Sequence, residues 1–500
     1  MASFMSTLKP HETQVLKSAI VSRLLVITLI IVWRILVSPY DTSAPLNPDC
    51  LTKTNSSTEC SSETLLWPSL GSAIENGIVW DSVYFVRIAQ CGYEYEQTYA
   101  FLPLLPICIS FMSRTVFAPL MPFIGERAVL ALSGYVINNV AFVFAALYLF
   151  RLSATILKDH ETALRASILF CFNPASIFYS SIYSESLYAL LTFGGLYHLI
   201  YGGNSLAVLY FALSGCGRSN GVLNAGYFCF QTMHRAYDAM FQKKHPTLAL
   251  QIVISGALRC ACIFAPFIAF QAYGYYNICD GRSPDKIQPW CKARVPLIYN
   301  YIQSHYWGVG FLRYFQLRQL PNFLLACPIL SLALCSIVHY AKSMPKNFFS
   351  LGFQTSIEEM NSGVVFLLDD LSSSYVAGTV ETSSVRIRED TNLQRRKKEI
   401  KENTVAVPIK SEAATRPRCL SAAVLPFVLH LAFMAGTAFL VMHVQVATRF
   451  LSASPPLYWF ASYLMTFPAK YGRWGRMIWT YSAAYILLGS LLFSNFYPFT

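Results

Sequence analysis

Apolar runs of about 20 residues recur along this 500-residue chain and constrain its fold more than any other feature. Only 13% of the residues are charged and 54% are hydrophobic, whereas an average soluble domain carries roughly 25% charged residues. In lipid, a spanning segment must satisfy its own backbone hydrogen bonds, as a helix does. The alternating pattern of a membrane β-barrel is absent from the sequence. We therefore expect an all-α polytopic membrane protein.

The apolar runs predict roughly nine to thirteen transmembrane or re-entrant helices. Several runs are short or interrupted by glycine, so we expect some of them to be tilted or re-entrant. No internal repeat relates two halves of the chain, which argues against many secondary transporters. The runs lie near residues 15–37, 101–124, 128–150, 165–179, 187–201, 206–213, 222–233, 248–270, 323–340, 420–446 and 477–493.

One long hydrophilic segment, residues 341–419, interrupts this pattern. It is rich in Ser, Thr and charged residues and has a basic run at 395–398, so we expect a cytosolic and largely disordered insert. It would separate an N-terminal transmembrane module, residues 1–340, from C-terminal helices at 420–500. The other basic residues are scattered among helix ends, so the net charge of +12 does not indicate nucleic-acid binding.

The loop at residues 38–106 is expected to face the lumen, because Lys9 and Lys17, near the start of the first run, favour a cytosolic N-terminus. It contains a glycosylation sequon at Asn55, which agrees with this orientation.

Most of the 14 cysteines lie in or next to apolar runs and are expected to be free thiols. Two pairs in polar loops are candidate disulfides: Cys50 with Cys60, and Cys279 with Cys291.

Acidic residues are concentrated where this loop returns to the membrane, in WDSVYFVRIAQCGYEYEQTYAFLPLLP at 80–106. Asp81 has two interpretations: a cap for the helix that begins near Ser82, or a proton acceptor at the edge of the bilayer. Glu96 is either a second functional acid, which could share a divalent ion with Asp81, or a solvated loop residue. We expect Glu94 to be solvated.

Two further charged residues lie in less polar surroundings. Glu185 follows a Tyr-Ser pair within an apolar context, so it is either a helix cap at the interface or an intramembrane acid with a function. Arg218 lies between Gly217 and Gly221, where a guanidinium and backbone amides could hold a phosphate. The alternative for Arg218 is a cytosolic loop position that follows the positive-inside rule.

Aromatic and basic residues recur late in the chain. His305, Tyr306 and Trp307 could form a platform for a sugar or a phosphate, or could simply lie at the membrane interface. Gln445 and Arg449 are four residues apart and share one helix face. An Arg beside apolar residues must meet an anion or extend to the interface, so Arg449 is a candidate phosphate ligand.

Five ordered motifs give this sequence a family resemblance. The first loop resembles that of the GPI mannosyltransferase II family, whose pattern is matched at Trp80-Asp81, Ile88-Ala89, Gly92-Tyr93, Glu96, Ala100-Phe101, Pro103 and Pro106. The resemblance continues in FNPASIFYSSIYSESLYAL (172–190), GRSNG (217–221), HYWGVGFLRYFQLRQLPNFLLA (305–326) and HVQVATRFLSASPPLYWF (443–460). It extends from about residue 15 to the C-terminus, except for the insert.

This resemblance implies a GT-C type fold and a multi-pass location in the endoplasmic reticulum membrane. It implies an α-1,6-mannosyltransferase that adds the second mannose to the GPI-anchor precursor, a mannosylated glucosaminyl-phosphatidylinositol glycolipid. The donor would be dolichyl-phosphate mannose, and the reaction an inverting direct displacement. No cofactor or metal site is indicated, and the need for an accessory membrane subunit is left open.

The resemblance also favours one role for each candidate residue. Asp81 becomes the expected catalytic base, with Glu96 as a second catalytic acid. The expected substrate-binding residues are Trp80, Tyr93, Glu185, Arg218, His305, Tyr306, Trp307, Gln445 and Arg449. The choice of phosphate ligand among Arg218, His305 and Arg449 stays open. The alternatives are another dolichyl-phosphate-sugar-dependent glycosyltransferase, and a lipid or sugar transporter.

Overall fold

The computed structural model describes residues 9–41, 47–51, 65–280, 288–354 and 421–499. Within these ranges the chain folds into helices and loops, without a β-strand. The α-helices are α1 Pro10–Leu36, α2 Pro68–Glu75, α3 Ser82–Cys91, α4 Leu104–Arg114, α5 Met121–Ile124, α6 Glu126–Leu157, α7 His160–Cys171, α8 Ser176–Ser180, α9 Glu185–Ile200, α10 Asn204–Gly217, α11 Ala225–Tyr237, α12 Pro246–Cys279, α13 Ile298–His305, α14 Leu320–Ser343, α15 Pro345–Phe349, α16 Leu425–Leu440, α17 Ala447–Leu451, α18 Pro455–Thr466 and α19 Pro468–Ser494.

Six of the described helical segments are long and apolar enough to cross a membrane. They are Pro10–Leu36, Glu126–Leu157, Pro246–Cys279, Leu317–Ser343, Ala422–Leu440 and Pro468–Ser494. A seventh crossing results if the bent pair Leu104–Arg114 and Ala118–Ile124 is one span. The predicted all-α polytopic membrane protein is confirmed. Full-length spans are fewer than the nine to thirteen helices expected, because several apolar runs form helices of only 12–16 residues.

Proline fixes where many of these helices begin. At the first helical position its missing N–H is not needed, and its φ angle already suits a helix. The helices that begin with proline are α1, α2, α12, α15, α18 and α19.

The short helices α9 and α10 form an antiparallel hairpin, joined by the turn at residues 201–203. As a result, the beginning of α9 and the end of α10 lie at the same end of the hairpin.

A buried arginine connects α1 to the segment that precedes α9. Arg23 is only 3% exposed and donates hydrogen bonds to the carbonyls of Cys171 and Ser176, and to the hydroxyls of Ser176 and Ser180. Its guanidinium also lies 3.8 Å from the ring centroid of Phe142. A buried charge requires such compensation. These contacts hold the turn between α7 and α8, and so the start of the segment that leads to α9.

The described residues contain two disulfides. The predicted bond between Cys279 and Cys291 is present. The predicted partner of Cys50 was wrong, because Cys50 is bonded to Cys91 at the end of α3 rather than to Cys60. Proximity in sequence suggested Cys60, whereas the fold brings the first loop against α3.

The first loop also corrects the expectation for Glu94. Its side chain is 1% exposed and pairs with Arg87 at 2.7 Å, so it is not solvated. Arg87 in α3 additionally donates to the carbonyls of Pro48 and Asp49. The pair therefore holds this part of the loop against α3.

Two expectations concern segments of which the structure describes little or nothing. Asn55 lies outside the described residues. Of the predicted insert, residues 341–354 are described; they complete α14 and form α15. The remainder of the insert lies outside the described ranges.

Candidate active site

A cavity of about 250 Å³ lies at the end of the bundle where α9 begins and α10 ends. Four segments that are distant in sequence form its walls: the start of α3, residues 183–185, residues 217–220, and α17. Residues from the segments at 100–102, 299–309 and 442–446 complete it. Two carboxylates and two guanidinium groups line this one cavity, those of Asp81, Glu185, Arg218 and Arg449.

Asp81 occupies the N-cap position of α3, but its side chain makes no capping hydrogen bond. The carboxylate instead accepts from the guanidinium of Arg449, with 3.3 Å between Oδ2 and Nη1. The backbone N–H of Asp81 donates to the hydroxyl of Tyr183 at 3.1 Å. The capping interpretation therefore describes the position of Asp81 in the chain, not what its carboxylate does.

Arg449 lies at the centre of this charge cluster. Its Nη1 is 3.3 Å from the Asp81 carboxylate and 3.9 Å from Oε1 of Glu185. Its guanidinium also lies 5.2 Å from the ring of Phe178 and 5.6 Å from that of Tyr183. Burial lowers the pKa of Arg449, but the carboxylates of Asp81 and Glu185 outweigh burial and raise it overall. Arg449 consequently stays protonated throughout the working range of any enzyme.

Glu185 and Arg218 form a second ion pair on the neighbouring wall. The Glu185 side chain is 2% exposed, and Oε1 faces both guanidinium groups. Arg218 follows the last residue of α10, and its guanidinium lies 5.8 Å from the ring of Tyr188 in α9. Because Arg218 lines the same cavity as Asp81, it is not a loop residue on the opposite side of the membrane.

Among the remaining predicted site residues, Trp307 also lines the cavity. Glu96 does not; it accepts hydrogen bonds from the indole of Trp290 and, at 2.9 Å, from the hydroxyl of Tyr306. Burial and the Glu96 hydrogen bond raise the pKa of Tyr306 to about 12. This network joins the first loop to the segment before α14, so Glu96 lies in a loop contact beside the cavity. Its catalytic role stays a prediction.

Four other predicted residues also lie outside the cavity lining. Trp80 packs on Phe496, and Tyr93 donates to the carbonyl of Phe101 at 2.8 Å. His305 stacks on Tyr301, and Gln445 accepts from the hydroxyl of Tyr314. Their contacts in this structure are with protein groups, and their roles in substrate binding stay predictions.

Among the cavity residues that the sequence did not single out are Tyr183, Asn220 and Tyr299. Tyr183 and Asn220 lie two residues from Glu185 and Arg218, in two of the family motifs, but carry no charge that distinguishes them in the sequence. Tyr299 carried no signal, because its contact with Ser219, at 2.7 Å between hydroxyls, joins segments 80 residues apart. Burial raises the pKa of Tyr183, and the negative charge of Asp81 raises it further, so Tyr183 stays a neutral phenol.

The described residues offer one group with the side chains of a metal site: Cys50, Cys91 and Glu94. The disulfide occupies both sulfur atoms of this group, so it is not a set of metal ligands. The acids and arginines of the cavity are instead suited to bind an oxyanion and to accept a proton.

Fold and site together define an integral membrane protein in which a polar, charge-balanced site is built among the helices. The whole chain from residue 12 to residue 500 matches the family model described as Mannosyltransferase (PIG-V). The protein belongs to this family of mannosyltransferases, so the expected family and the expected glycosyltransferase class are confirmed.

Relatives from distant animals agree with this assignment. A rat protein named GPI alpha-1,6-mannosyltransferase 2 is 30% identical over 92% of this chain and 86% of its own length. The human protein of the same name is 30% identical over 77% of this chain and 72% of its own. GPI mannosyltransferase 2 of Drosophila melanogaster is 27% identical, over 84% and 86%. No solved structure matches this chain significantly.

Proposed function

We propose that this protein transfers mannose from dolichyl-phosphate mannose to the 6-hydroxyl of the first mannose of the GPI-anchor precursor, at the lumenal face of the endoplasmic reticulum. The names of the rat and human relatives support the linkage and the pathway. The observation that carries the proposal is that the Asp81 carboxylate and two guanidinium groups line one cavity.

Asp81 is the proposed proton acceptor. Direct displacement at the anomeric carbon needs a base for the acceptor hydroxyl and stabilisation of the phosphate that leaves. The Asp81 side chain is 36% exposed, whereas that of Glu185 is 2% exposed, so an incoming hydroxyl reaches Asp81 more readily. Oδ2 faces Arg449, which leaves Oδ1 for the acceptor.

Arg218 and Arg449 are the proposed ligands of the donor phosphate. Both line the cavity, whereas His305 does not. In the free site the two acids balance the two guanidinium groups. During transfer the acceptor proton moves to Asp81, and the donor phosphodiester becomes a phosphomonoester with one more negative charge. Arg449 contacts Asp81 and would stabilise the new phosphate charge as the Asp81 carboxylate loses its own.

The short hairpin helices suit a donor that is anchored in lipid. α9 has 16 residues and α10 has 14, so they are about 24 and 21 Å long, less than the roughly 30 Å of a bilayer hydrocarbon core. If their other ends reach the cytosolic interface, Glu185 and Arg218 lie several ångströms below the lumenal surface. A dolichyl phosphate there would meet the arginines without leaving the bilayer.

The test has a cellular and a biochemical part. Cells that lack the protein should accumulate the GPI precursor with one mannose, and purified protein should convert this precursor in the presence of dolichyl-phosphate mannose. Linkage analysis of the product should show an α-1,6 bond. Two results would contradict the proposal. One is transfer of mannose to a different acceptor but not to this precursor, and the other is movement of the lipid across the membrane without transfer of mannose.

The proposed chemistry uses the side chains of Asp81, Arg218 and Arg449 and assigns no step to a cofactor. The divalent ion considered for Asp81 and Glu96 receives no support from their positions, since Glu96 is hydrogen-bonded to Trp290 and Tyr306 outside the cavity lining. An accessory membrane subunit stays a prediction.

A further inference from the structure

In the part of the cavity wall around Arg218, two buried polar atoms have neither a hydrogen-bond nor an ion-pair partner among the described residues: Nδ2 of Asn220 and Oε2 of Glu185. Asn220 is 6% exposed and Glu185 is 1% exposed, and both line the cavity. Leaving a buried donor or acceptor unpaired is costly, so such atoms in a binding cavity indicate contacts that a ligand completes.

The neighbouring arginine fixes which atom of each side chain is unpaired. Nε of Arg218 lies 3.4 Å from Oδ1 of Asn220. Because a guanidinium only donates, the amide oxygen must face Arg218, and the NH₂ group is the one without a partner. Glu185 likewise directs Oε1 to Arg218 and Arg449. The wall therefore offers one donor and one acceptor.

The backbone holds Asn220 firmly in this place. The next residue, Gly221, packs so closely on the backbone of Ser214 in α10 that a Cβ atom would overlap it. On the other side, the hydroxyl of Ser219 bonds to that of Tyr299 at 2.7 Å. The amide of Asn220 is thus positioned before any ligand arrives, which favours selective recognition.

A carboxylate and an amide that contact the same arginine, and line the same cavity, offer an acceptor and a donor to the hydroxyl groups of a sugar, which both donate and accept. We propose that Asn220 and Glu185 form the subsite that binds hydroxyl groups of the donor hexose. This inference rests on the proposed function: Arg218 binds the donor phosphate there, and the hexose bonded to that phosphate is the sugar nearest to Asn220.

The experiment is a mutant cycle between protein and donor. Wild type, Asn220→Ala and Asn220→Asp are assayed with dolichyl-phosphate mannose and its 2-, 3-, 4- and 6-deoxy analogues. Asn220→Asp keeps the oxygen that faces Arg218 but removes the NH₂ donor, so it tests the subsite even if Asn220→Ala folds poorly. Asn224→Ala is the matched control, because buried Asn224 bonds to Thr192 and Ser214 and does not line the cavity.

We expect each Asn220 variant to reduce kcat/KM for the parent donor about 10- to 100-fold. One deoxy analogue should be poor with the wild type and lose this penalty in the variants, because hydroxyl and amide are partners. The control should change stability while leaving the ratios between donors as in the wild type. Equal ratios for every analogue in the wild type and both variants would overturn the subsite. Absence of wild-type mannose transfer would overturn the proposed function instead.

Discussion

Replacing Asp81 by Asn separates the two interpretations of this residue. Asn is as good an N-cap as Asp, so a capping residue would tolerate the change with full activity. A catalytic base would not tolerate it, because the amide cannot accept the proton. General-base catalysis contributes about 10²- to 10⁴-fold, so we expect mannose transfer to fall at least about 100-fold.

The structure predicts that this loss comes without unfolding. The Asp81 side chain makes no capping hydrogen bond, so the roughly 0.5–2 kcal/mol of a lost cap does not apply. Its ion pair with Arg449 has a partly exposed acid, and pairs of that kind contribute about 0–1 kcal/mol. Arg449 also keeps its contact with Glu185. The free energy of unfolding should therefore change by about 1 kcal/mol or less.

The assay measures transfer from radiolabelled dolichyl-phosphate mannose by purified protein, with thermal unfolding in the same detergent. Asp238→Asn is the matched control: it removes an acid paired with Lys243 at 3.1 Å, away from the cavity. Wild-type turnover by Asp81→Asn would refute the base. If activity and the amount of folded protein fall in parallel, Asp81 has a structural role and is not the catalytic base.

Three further predictions test the surroundings of the site. Arg449→Lys keeps the positive charge but loses the planar guanidinium whose donors face two acids. We expect kcat/KM to fall about 10²- to 10³-fold in the transfer assay. Near-wild-type kinetics would contradict phosphate binding by Arg449. Gly221→Ala should abolish folded protein in detergent chromatography, whereas Gly226→Ala, which meets open space, should not. Peptide mapping without reduction should recover Cys50 linked to Cys91; a link to any other cysteine would contradict the fold of the first loop.

Hydropathy predicted the class of fold but not the number of full-length spans. A long apolar run such as that of α6 is visible because 32 helical residues continue without a break. The run at 165–179 contains Asn173-Pro174, where the helix ends and a turn begins, so one predicted span becomes the short helices α7 and α8. The average hydropathy of a run does not reveal such breaks. The contacts that make a short helix stable, such as those of Arg23, come from distant segments.

The acids and arginines of the site could be predicted because charge is rare in this chain and therefore informative. Asp81, Glu185, Arg218 and Arg449 were all identified from the sequence, and all line one cavity. Their pairing could not be predicted, since Asp81 and Arg449 are 368 residues apart. The sequence also could not show that Glu96 lies outside the cavity while Asp81 lines it. The partner of Glu96, Trp290, is in another loop, far away in the sequence.

The pairing also explains why such a site can exist inside a membrane protein before substrate arrives. A buried guanidinium group without an anion would be costly, and two adjacent ones would also repel each other. Glu185 faces both arginines, so a single buried carboxylate compensates both while Asp81 stays accessible. When a phosphate enters, it can take over part of this compensation without exposing either arginine to lipid. In the proposed mechanism, the acid that compensates the arginines and the acid that accepts the proton are therefore different residues, and the difference in their burial supports this division of roles.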